Sequence, residues 1–320
     1  MLASSTATAE TARRPVARKE PSKLKFTLRE MRRYKMAYLM VSPFYIIFAT
    51  FTIAPVILSF LLSFTSFDLL QPPIWIGLDN YLRLFLDDEL FLRTVQNTFM
   101  LALLTGPAGF IMSFTIAWFL NELSPRIRAV ATLIFFAPSL AGGANLIWTL
   151  IFSSDAYGFA NSFLMGNNFI DSPILWFNNE TYLIPLIVII SLWGSLGAGF
   201  LGNIAGLQVV DRSLYEAGAV DGVKNRWQEL WYITLPSMKS MLLFSAIMTI
   251  TGSFGIGGLI TGLAGFPSVN YRAHTIMHHL EDFGGMRFEV GYASAIATIL
   301  FALMIGANVV VQKMLNKLGR

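Results

Sequence analysis

The sequence predicts an all-α integral membrane protein with six transmembrane helices and both termini in the cytoplasm. Its 320 residues are 55% hydrophobic and only 13% charged, whereas soluble domains carry about 25% charged residues. The chain also contains six long uncharged runs, and a membrane-spanning helix needs about 20 mostly apolar residues. These runs cover residues 37–67, 94–121, 129–154, 181–210, 240–271 and 291–312.

The distribution of basic residues predicts the orientation. Lys and Arg accumulate in the cytoplasmic loops of membrane proteins. With the N-terminus placed in the cytoplasm, 19 of the 23 Lys and Arg residues fall on the cytoplasmic side. The net charge of +4 therefore reflects topology and contact with anionic membrane lipid, and nucleic-acid binding is not predicted.

The charge pattern also sets the domain organisation. Residues 1–36 are basic and rich in Ser, Thr and Pro, which predicts a partly disordered cytoplasmic segment. Residues 37–315 form the predicted six-helix domain, with a cytoplasmic hairpin at 211–236, and residues 316–320 form a cytoplasmic tail. The chain contains no cysteine, which excludes disulfides, cysteine nucleophiles and thiolate metal sites.

Individual spans carry further signals. Pro43 and Pro55 predict kinks in the first span. The short turn at 121–125 makes the second and third spans antiparallel. The fourth span, about 182–207, leads directly into the hairpin. The fifth is expected to begin near Pro236, because proline is favourable in the first turn of a helix.

The segment between the fourth and fifth spans predicts two short helices joined by a glycine turn. Asp211 is placed to cap the first helix, and Gly222 ends it where a left-handed residue is needed. Asn225 and Gln228 have the spacing of a capping box for the second helix. Physical chemistry alone leaves two interpretations: an amphipathic hairpin lying on the inner leaflet, or a docking element that a partner covers.

The same residues resemble the coupling motif of permease subunits in binding-protein-dependent ABC importers. That motif reads Glu-Ala-Ala, three residues, Gly, then about nine residues before Ile-x-Leu-Pro. Gly218 departs from it where the family prefers alanine, and ten residues separate Gly222 from Ile233. The likeness runs from the first span to the tail, and Asp221 beside the glycine is common in the sugar-importing, maltose-type branch. The matching positions are Glu216, Ala217, Gly222, Ile233, Leu235 and Pro236.

The resemblance implies a permease subunit whose hairpin inserts into a cleft on an ATPase. The implied partners are a second homologous permease, two ATP-binding subunits and an extracytoplasmic solute-binding protein, in the bacterial cytoplasmic membrane. The chain has no G-x-x-x-x-G-K-[ST] phosphate loop, so ATP is used by the partner subunits and no cofactor is expected on this chain. The expected coupling residues are Glu216, Ala217, Gly218, Asp221, Gly222, Trp227, Leu235 and Pro236.

Small and hydroxyl-bearing residues mark a predicted solute pathway on the fourth and fifth spans. One interpretation is helix packing, because small residues four apart let helices approach closely. The other is a polar cavity wall, since the resemblance aligns these positions with sugar-contacting positions that carry larger side chains in the maltose-type permease. Trp193 and Trp148 are secondary candidates for stacking on sugar rings. The pathway residues are Ser191, Gly194, Ser195, Ala198, Thr249, Gly252, Ser253 and Ile256.

Other functions fit the sequence less well. His274 and His278 have a metal-binding spacing, but an amphipathic helix on the outer surface explains them and no metal site is predicted. Ser195 has no histidine base within the spans, so no catalytic residue or enzymatic activity is predicted. An ion-coupled secondary transporter would place ionisable residues in its spans, and a glycerol phosphate importer would favour buried Arg or Lys. The uncharged spans favour a sugar or oligosaccharide.

Overall fold

A computed structural model describes residues 30–31, 33–140 and 144–317. Most of the expected N-terminal segment and the end of the expected tail lie outside this range. The described residues divide into two units, one that ends at Ile57 and one that begins at Leu58. The first unit contains the N-terminal part of helix α1 (Lys35–Leu62), which continues into the second unit.

The second unit is built almost entirely of helices. A short antiparallel ribbon, β1 (Thr65–Ser66) and β2 (Ile74–Trp75), follows α1 and pairs Thr65 with Trp75. The helices that follow are α2 (Asp79–Leu82), α3 (Glu89–Asn121), α4 (Pro125–Leu140), α5 (Ala144–Ile151), α6 (Phe159–Gly166), α7 (Glu180–Gly194), α8 (Ala198–Val209), α9 (Arg212–Val220), α10 (Arg226–Ser237), α11 (Lys239–Phe254), α12 (Gly257–Ala264), α13 (Ile276–Glu281) and α14 (Val290–Lys317).

Several of these helices are long and apolar enough to cross a membrane. Within the described residues, α1, α3 and α14 meet this condition singly, and two bent pairs meet it together. The bend is 44° between α7 and α8 and 84° between α10 and α11. The predicted helical membrane fold is thereby confirmed. The predicted third span corresponds to α4 and α5, with residues 141–143 undescribed between them, so six spans stay a prediction.

A sharp bend lies close to the expected start of the fifth span. Pro236 lies near the end of α10, and α11 begins at Lys239 after the 84° bend. Met238 occupies the bend with φ −101° and ψ 17° and is buried. The proline therefore lies at the end of the hairpin, two residues before the bend.

Helices α3, α8 and α11 pack against one another at the centre of the second unit. Apolar clusters hold both ends of α3. One surrounds Phe91 and Phe254 at its N-terminal end, and another surrounds Ala117 and Phe200 at its C-terminal end. This packing fixes the helices that carry both the hairpin and the predicted solute pathway.

A buried polar layer closes the N-terminal end of α3. Asp88 accepts hydrogen bonds from His279 Nε2–H and from the Tyr292 hydroxyl, each at 2.8 Å. Burial alone would raise the pKa of Asp88, but hydrogen bonds from His279, Tyr292 and the backbone N–H of Phe91 outweigh it and lower the pKa to about 2. The first turn of α3 is thus tied to α13 and α14.

Helix α13 does not lie on the outer surface as expected. Ile276, His278 and His279 are each at most 1% exposed, because α13 packs between α3 and α14. His278 Nδ1 accepts a hydrogen bond from the Thr275 backbone N–H at 3.2 Å, which completes a capping box. Among the described residues, no three His, Asp or Glu side chains are grouped closely enough to hold a metal ion.

The buried histidines predict a pH-dependent stability. Burial, and then the neighbouring His278 and His279, lower the pKa of His274 to about 4. The ordinary histidine pKa is about 6.5, so unfolding takes up a proton between these values. The stabilising contribution of the neutral ring is therefore complete above pH 6.5 and is lost as the pH falls toward 4.

Both ring nitrogens of His274 lack a hydrogen-bond partner among the described residues, so His274→Phe removes the titration without removing a bond. When the pH is lowered from 7 to 5, we expect the Tm of the variant to fall by about 2–4 °C less than the Tm of the wild type. Thermal unfolding in detergent measures both values. His278→Phe is the contrasting variant, because it breaks the capping box and should lower Tm at every pH. Parallel pH profiles for wild type and His274→Phe would contradict the prediction.

Candidate functional site

The predicted hairpin is present as α9 and α10. The Asp211 side chain caps α9 by accepting a backbone N–H of its first turn at 3.0 Å. At the other end, Val223 N–H donates to Gly218 O at 2.9 Å and Gly222 N–H donates to Ala219 O at 3.4 Å, which is a Schellman motif. Gly222 has φ +95°, a conformation that favours glycine. The predicted N-cap and the left-handed glycine are both confirmed.

The second hairpin helix is capped in a slightly different way than predicted. The Asn225 side chain accepts the Gln228 N–H at 2.9 Å, as in a capping box. The Gln228 side chain, however, accepts the N–H of Lys224, at 2.8 Å, one residue before the expected partner. A hydrogen bond of 2.9 Å between the hydroxyls of Tyr215 and Thr234 then joins α9 to α10.

The departure of Gly218 from the motif has a structural reason. A methyl group added at Gly218 would lie 2.6 Å from Ile233 Cδ1. Alanine would thus require the Ile233 side chain to move, whereas glycine lets α9 close onto α10. The glycine at 218 and the isoleucine at 233 form one packing contact inside the hairpin.

Most of the expected coupling residues are exposed. The hairpin also exposes apolar side chains, since Val220 is 88% and Trp227 is 70% exposed. Exposed apolar surface of this kind marks an interaction site. Gly218 and Leu235 are half-buried, and the exposed members are Glu216, Ala217, Asp221, Gly222, Trp227 and Pro236.

The hairpin is anchored to the turn between α3 and α4. The Arg226 guanidinium forms an ion pair with Glu122 in this turn and a second one with Glu229, at 3.0 Å. The rings of Trp118 and Trp227 lie 5.4 Å apart, centroid to centroid. The sequence reasoning missed this anchor, because 104 residues separate Glu122 from Arg226.

All eight residues of the predicted solute pathway line one cavity of about 340 Å³. The cavity lies where the break between α7 and α8 faces α11. Helix α3 adds Thr105, which the sequence reasoning missed because it considered only the fourth and fifth spans. The remaining wall is formed by Ile190, Gly197, Gly199, Met248 and Leu259.

Hydroxyl groups supply the side-chain polarity of this cavity, and its described lining carries no charged side chain. The Ser195 and Ser253 hydroxyls donate to carbonyls of their own helices, at 2.6 and 2.7 Å. Each keeps acceptor capacity toward the cavity. The Ser191 hydroxyl is buried and has no partner among the described residues. The wall can therefore hydrogen-bond a neutral polar solute.

Packing and cavity lining both occur along this stripe of small residues. A methyl group at Gly202 would lie 2.8 Å from the Phe244 ring, so this glycine serves helix packing. Methyl groups at Gly194 and Gly252 would meet open space. The secondary candidates Trp148 and Trp193 pack edge to face at 5.3 Å and are absent from the described cavity lining.

A helical membrane fold with an exposed coupling-type hairpin and an uncharged internal cavity defines a membrane transport subunit. The sequence profile of the family described as "Binding-protein-dependent transport system inner membrane component" matches residues 91–317. The chain belongs to this family, and the resemblance to importer permeases is confirmed. The family is a transport component and not a class of enzymes.

Individual relatives agree with this assignment. The probable ABC transporter permease protein YesP of Bacillus subtilis is 33% identical over 293 residues, covering 86% of this chain and 89% of YesP. The arabinooligosaccharides permease AraP of the same organism is 29% identical, with 87% of each chain covered. The sulfoquinovosyl glycerol permease SmoG of Agrobacterium fabrum is 30% identical, covering 84% of this chain and 86% of SmoG.

A solved structure shares the fold. It is a chain of a bacterial ABC transporter involved in the import of the acidic polysaccharide alginate. The TM-score is 0.74 at 23% identity, covering 92% of this chain and 100% of the other.

The anchor predicts how firmly the hairpin is held. Glu122→Gln removes one carboxylate from Arg226, and exposed ion pairs contribute little, so we expect backbone amide exchange across α10 to rise by about 2- to 5-fold. Hydrogen exchange with mass spectrometry measures this. Glu229→Gln is the matched control, because it removes the ion pair within the hairpin and leaves the pair with Glu122 in place. Exchange in Glu122→Gln as slow as in the wild type would show that the ion pair does not hold the hairpin.

Proposed function

We propose that this chain forms, with a second homologous permease, the membrane pathway of a bacterial importer for a sugar or oligosaccharide. Two ATP-binding subunits drive the cycle, and an extracytoplasmic solute-binding protein delivers the solute. The convergence of all eight pathway residues on one uncharged cavity carries the proposal. AraP and SmoG are named for the transport of arabinooligosaccharides and of sulfoquinovosyl glycerol, and both names support the sugar class.

The proposed topology has six spans in the cytoplasmic membrane, with both termini and the hairpin inside. The basic residues of the N-terminal segment and of the hairpin support this orientation. In this arrangement the exposed face around Glu216 and Gly222 docks on an ATP-binding subunit. Movement of that subunit reaches α11 through α10, and it reaches α3 and α4 through the pair of Arg226 and Glu122.

The alternatives receive less support from the cavity. A glycerol phosphate importer would need cationic side chains, and the described lining of the cavity has none. An ion-coupled secondary transporter that used this cavity as its solute path would need ionisable groups in the cavity lining. The hydroxyl groups of Ser195 and Thr249, which are half-buried in the cavity lining, instead suit the hydroxyls of a neutral sugar.

Gly222 provides the test of ATPase coupling. A non-glycine residue in the left-handed conformation costs about 1–2 kcal/mol, which is roughly 5- to 30-fold in hairpin population. Since nothing lies within 4 Å of its Cβ position, Gly222→Trp adds bulk on the docking face without an internal clash. We expect the tagged variant to lose the ATPase from a mild-detergent purification of the native host.

Gly222→Asn is the matched control, because asparagine tolerates the left-handed conformation and should retain most of the ATPase. Subunits are identified by mass spectrometry. If the wild type itself carries neither a phosphate-loop ATPase nor a second multi-span protein, the importer proposal fails.

Filling the cavity tests the solute pathway. A side chain at Gly252 projects into open space, so Gly252→Phe should block passage and lower solute uptake by roughly 10-fold or more while the complex still assembles. Gly306→Phe is the control, because it adds the same bulk at an exposed, open position on α14. Uptake is measured with radiolabelled sugar in whole cells, and full uptake by Gly252→Phe would remove this cavity from the pathway.

A further inference from the structure

An apolar groove of about 770 Å³ opens beside the hairpin, between α3, α10, α11 and the end of α14. It is separate from the cavity proposed for the solute. Its apolar walls come from Phe110, Ile111, Phe114, Leu242, Met314 and Leu315. We propose that this groove binds an anionic phospholipid of the inner leaflet, with an acyl chain against the apolar walls and the headgroup at two lysines.

The charges are concentrated at the hairpin end of the groove. Lys239 begins α11 and Lys317 ends α14, and both line the groove, whose described lining carries no acidic side chain. Lys239 Nζ donates one hydrogen bond to the Asn316 carbonyl at 3.0 Å, which leaves two of its three donors for a phosphate. Basic pockets between membrane helices on the cytoplasmic side suit anionic lipid headgroups.

Aromatic residues mark the same end as a membrane interface. Trp231 and Tyr232 line the groove and are 59% and 68% exposed. Trp and Tyr are enriched where the hydrocarbon core meets the headgroups. Lysines and interfacial aromatics therefore lie together at the level of a headgroup, and the apolar side chains lie beyond them.

The depth of the groove fits within one leaflet. The residues of α3 that line the groove run from Phe110 to Phe114, about 6 Å along the helix axis. Half of the hydrocarbon core is about 15 Å thick. A lipid whose headgroup contacts Lys239 and Lys317 would thus extend its acyl chains along the whole apolar wall. An uncharged helix of another protein would leave both lysines without a counter-charge, so the lysine pair favours an anionic lipid over such a helix.

The test is native mass spectrometry of the affinity-purified complex after reconstitution into nanodiscs of equal parts phosphatidylglycerol and phosphatidylcholine. We expect phosphatidylglycerol to be enriched among the lipids that the wild-type protein retains. Lys239→Gln and Lys317→Gln should each lower that enrichment by about 5-fold. Lys224→Gln removes an exposed cation of the hairpin outside the groove and should leave the enrichment unchanged.

A variant of the apolar wall separates a groove from a general surface charge. Ile111 is 61% exposed in the groove, so Ile111→Trp fills it and should reduce retention of both lipids. Equal retention of the two lipids by the wild type, an equal loss in Lys224→Gln, or an unaffected Ile111→Trp would each overturn the proposal. The outcome does not depend on which solute is transported, because it concerns lipid alone.

Discussion

The absence of water from the bilayer core is the constraint on which this structure depends, because every backbone N–H and C=O there needs a partner within the protein. The long helices α3 and α14 satisfy it through hydrogen bonds within each helix, except at Pro107 of α3, which has no N–H. The break between α7 and α8 is allowed because the freed groups lie against protein and cavity. The Ser195 hydroxyl, for instance, bonds the Leu192 carbonyl at 2.6 Å. The irregular backbone between α7 and α8 thus lies beside the cavity, where polar groups can contact a solute.

Helix α3 connects three layers of the protein. At its start, Asp88 holds α13 and α14 through His279 and Tyr292. Further along, Thr105 contributes to the cavity wall. Just beyond its C-terminal end, Glu122 binds Arg226 and so fixes the hairpin. A single helix therefore joins the buried histidine layer, the proposed solute path and the proposed ATPase contact.

Local patterns in the sequence were sufficient for the features that depend on neighbouring residues. Uncharged runs predicted the long helices, and Asp211 and Gly222 predicted the ends of α9, because caps and left-handed turns are set within a few residues. The pairing of Glu122 with Arg226 depends on tertiary packing and leaves no local signal. The same holds for the burial of α13, where histidines resemble surface residues until their neighbours are known.

The 84° bend at Met238 gives α10 and α11 the shape of a bent lever whose pivot is Met238. Its two arms are about 18 Å and about 24 Å long at 1.5 Å per residue. When the pair pivots as one body, a displacement of the free end of the short arm perpendicular to its own axis, and so nearly along the axis of α11, becomes a tilting of the long arm. The free end of the long arm then moves about a third further than the free end of the short arm, in the ratio of their lengths. Thr249 and Gly252 lie near the far end of the long arm, so the cavity wall travels furthest.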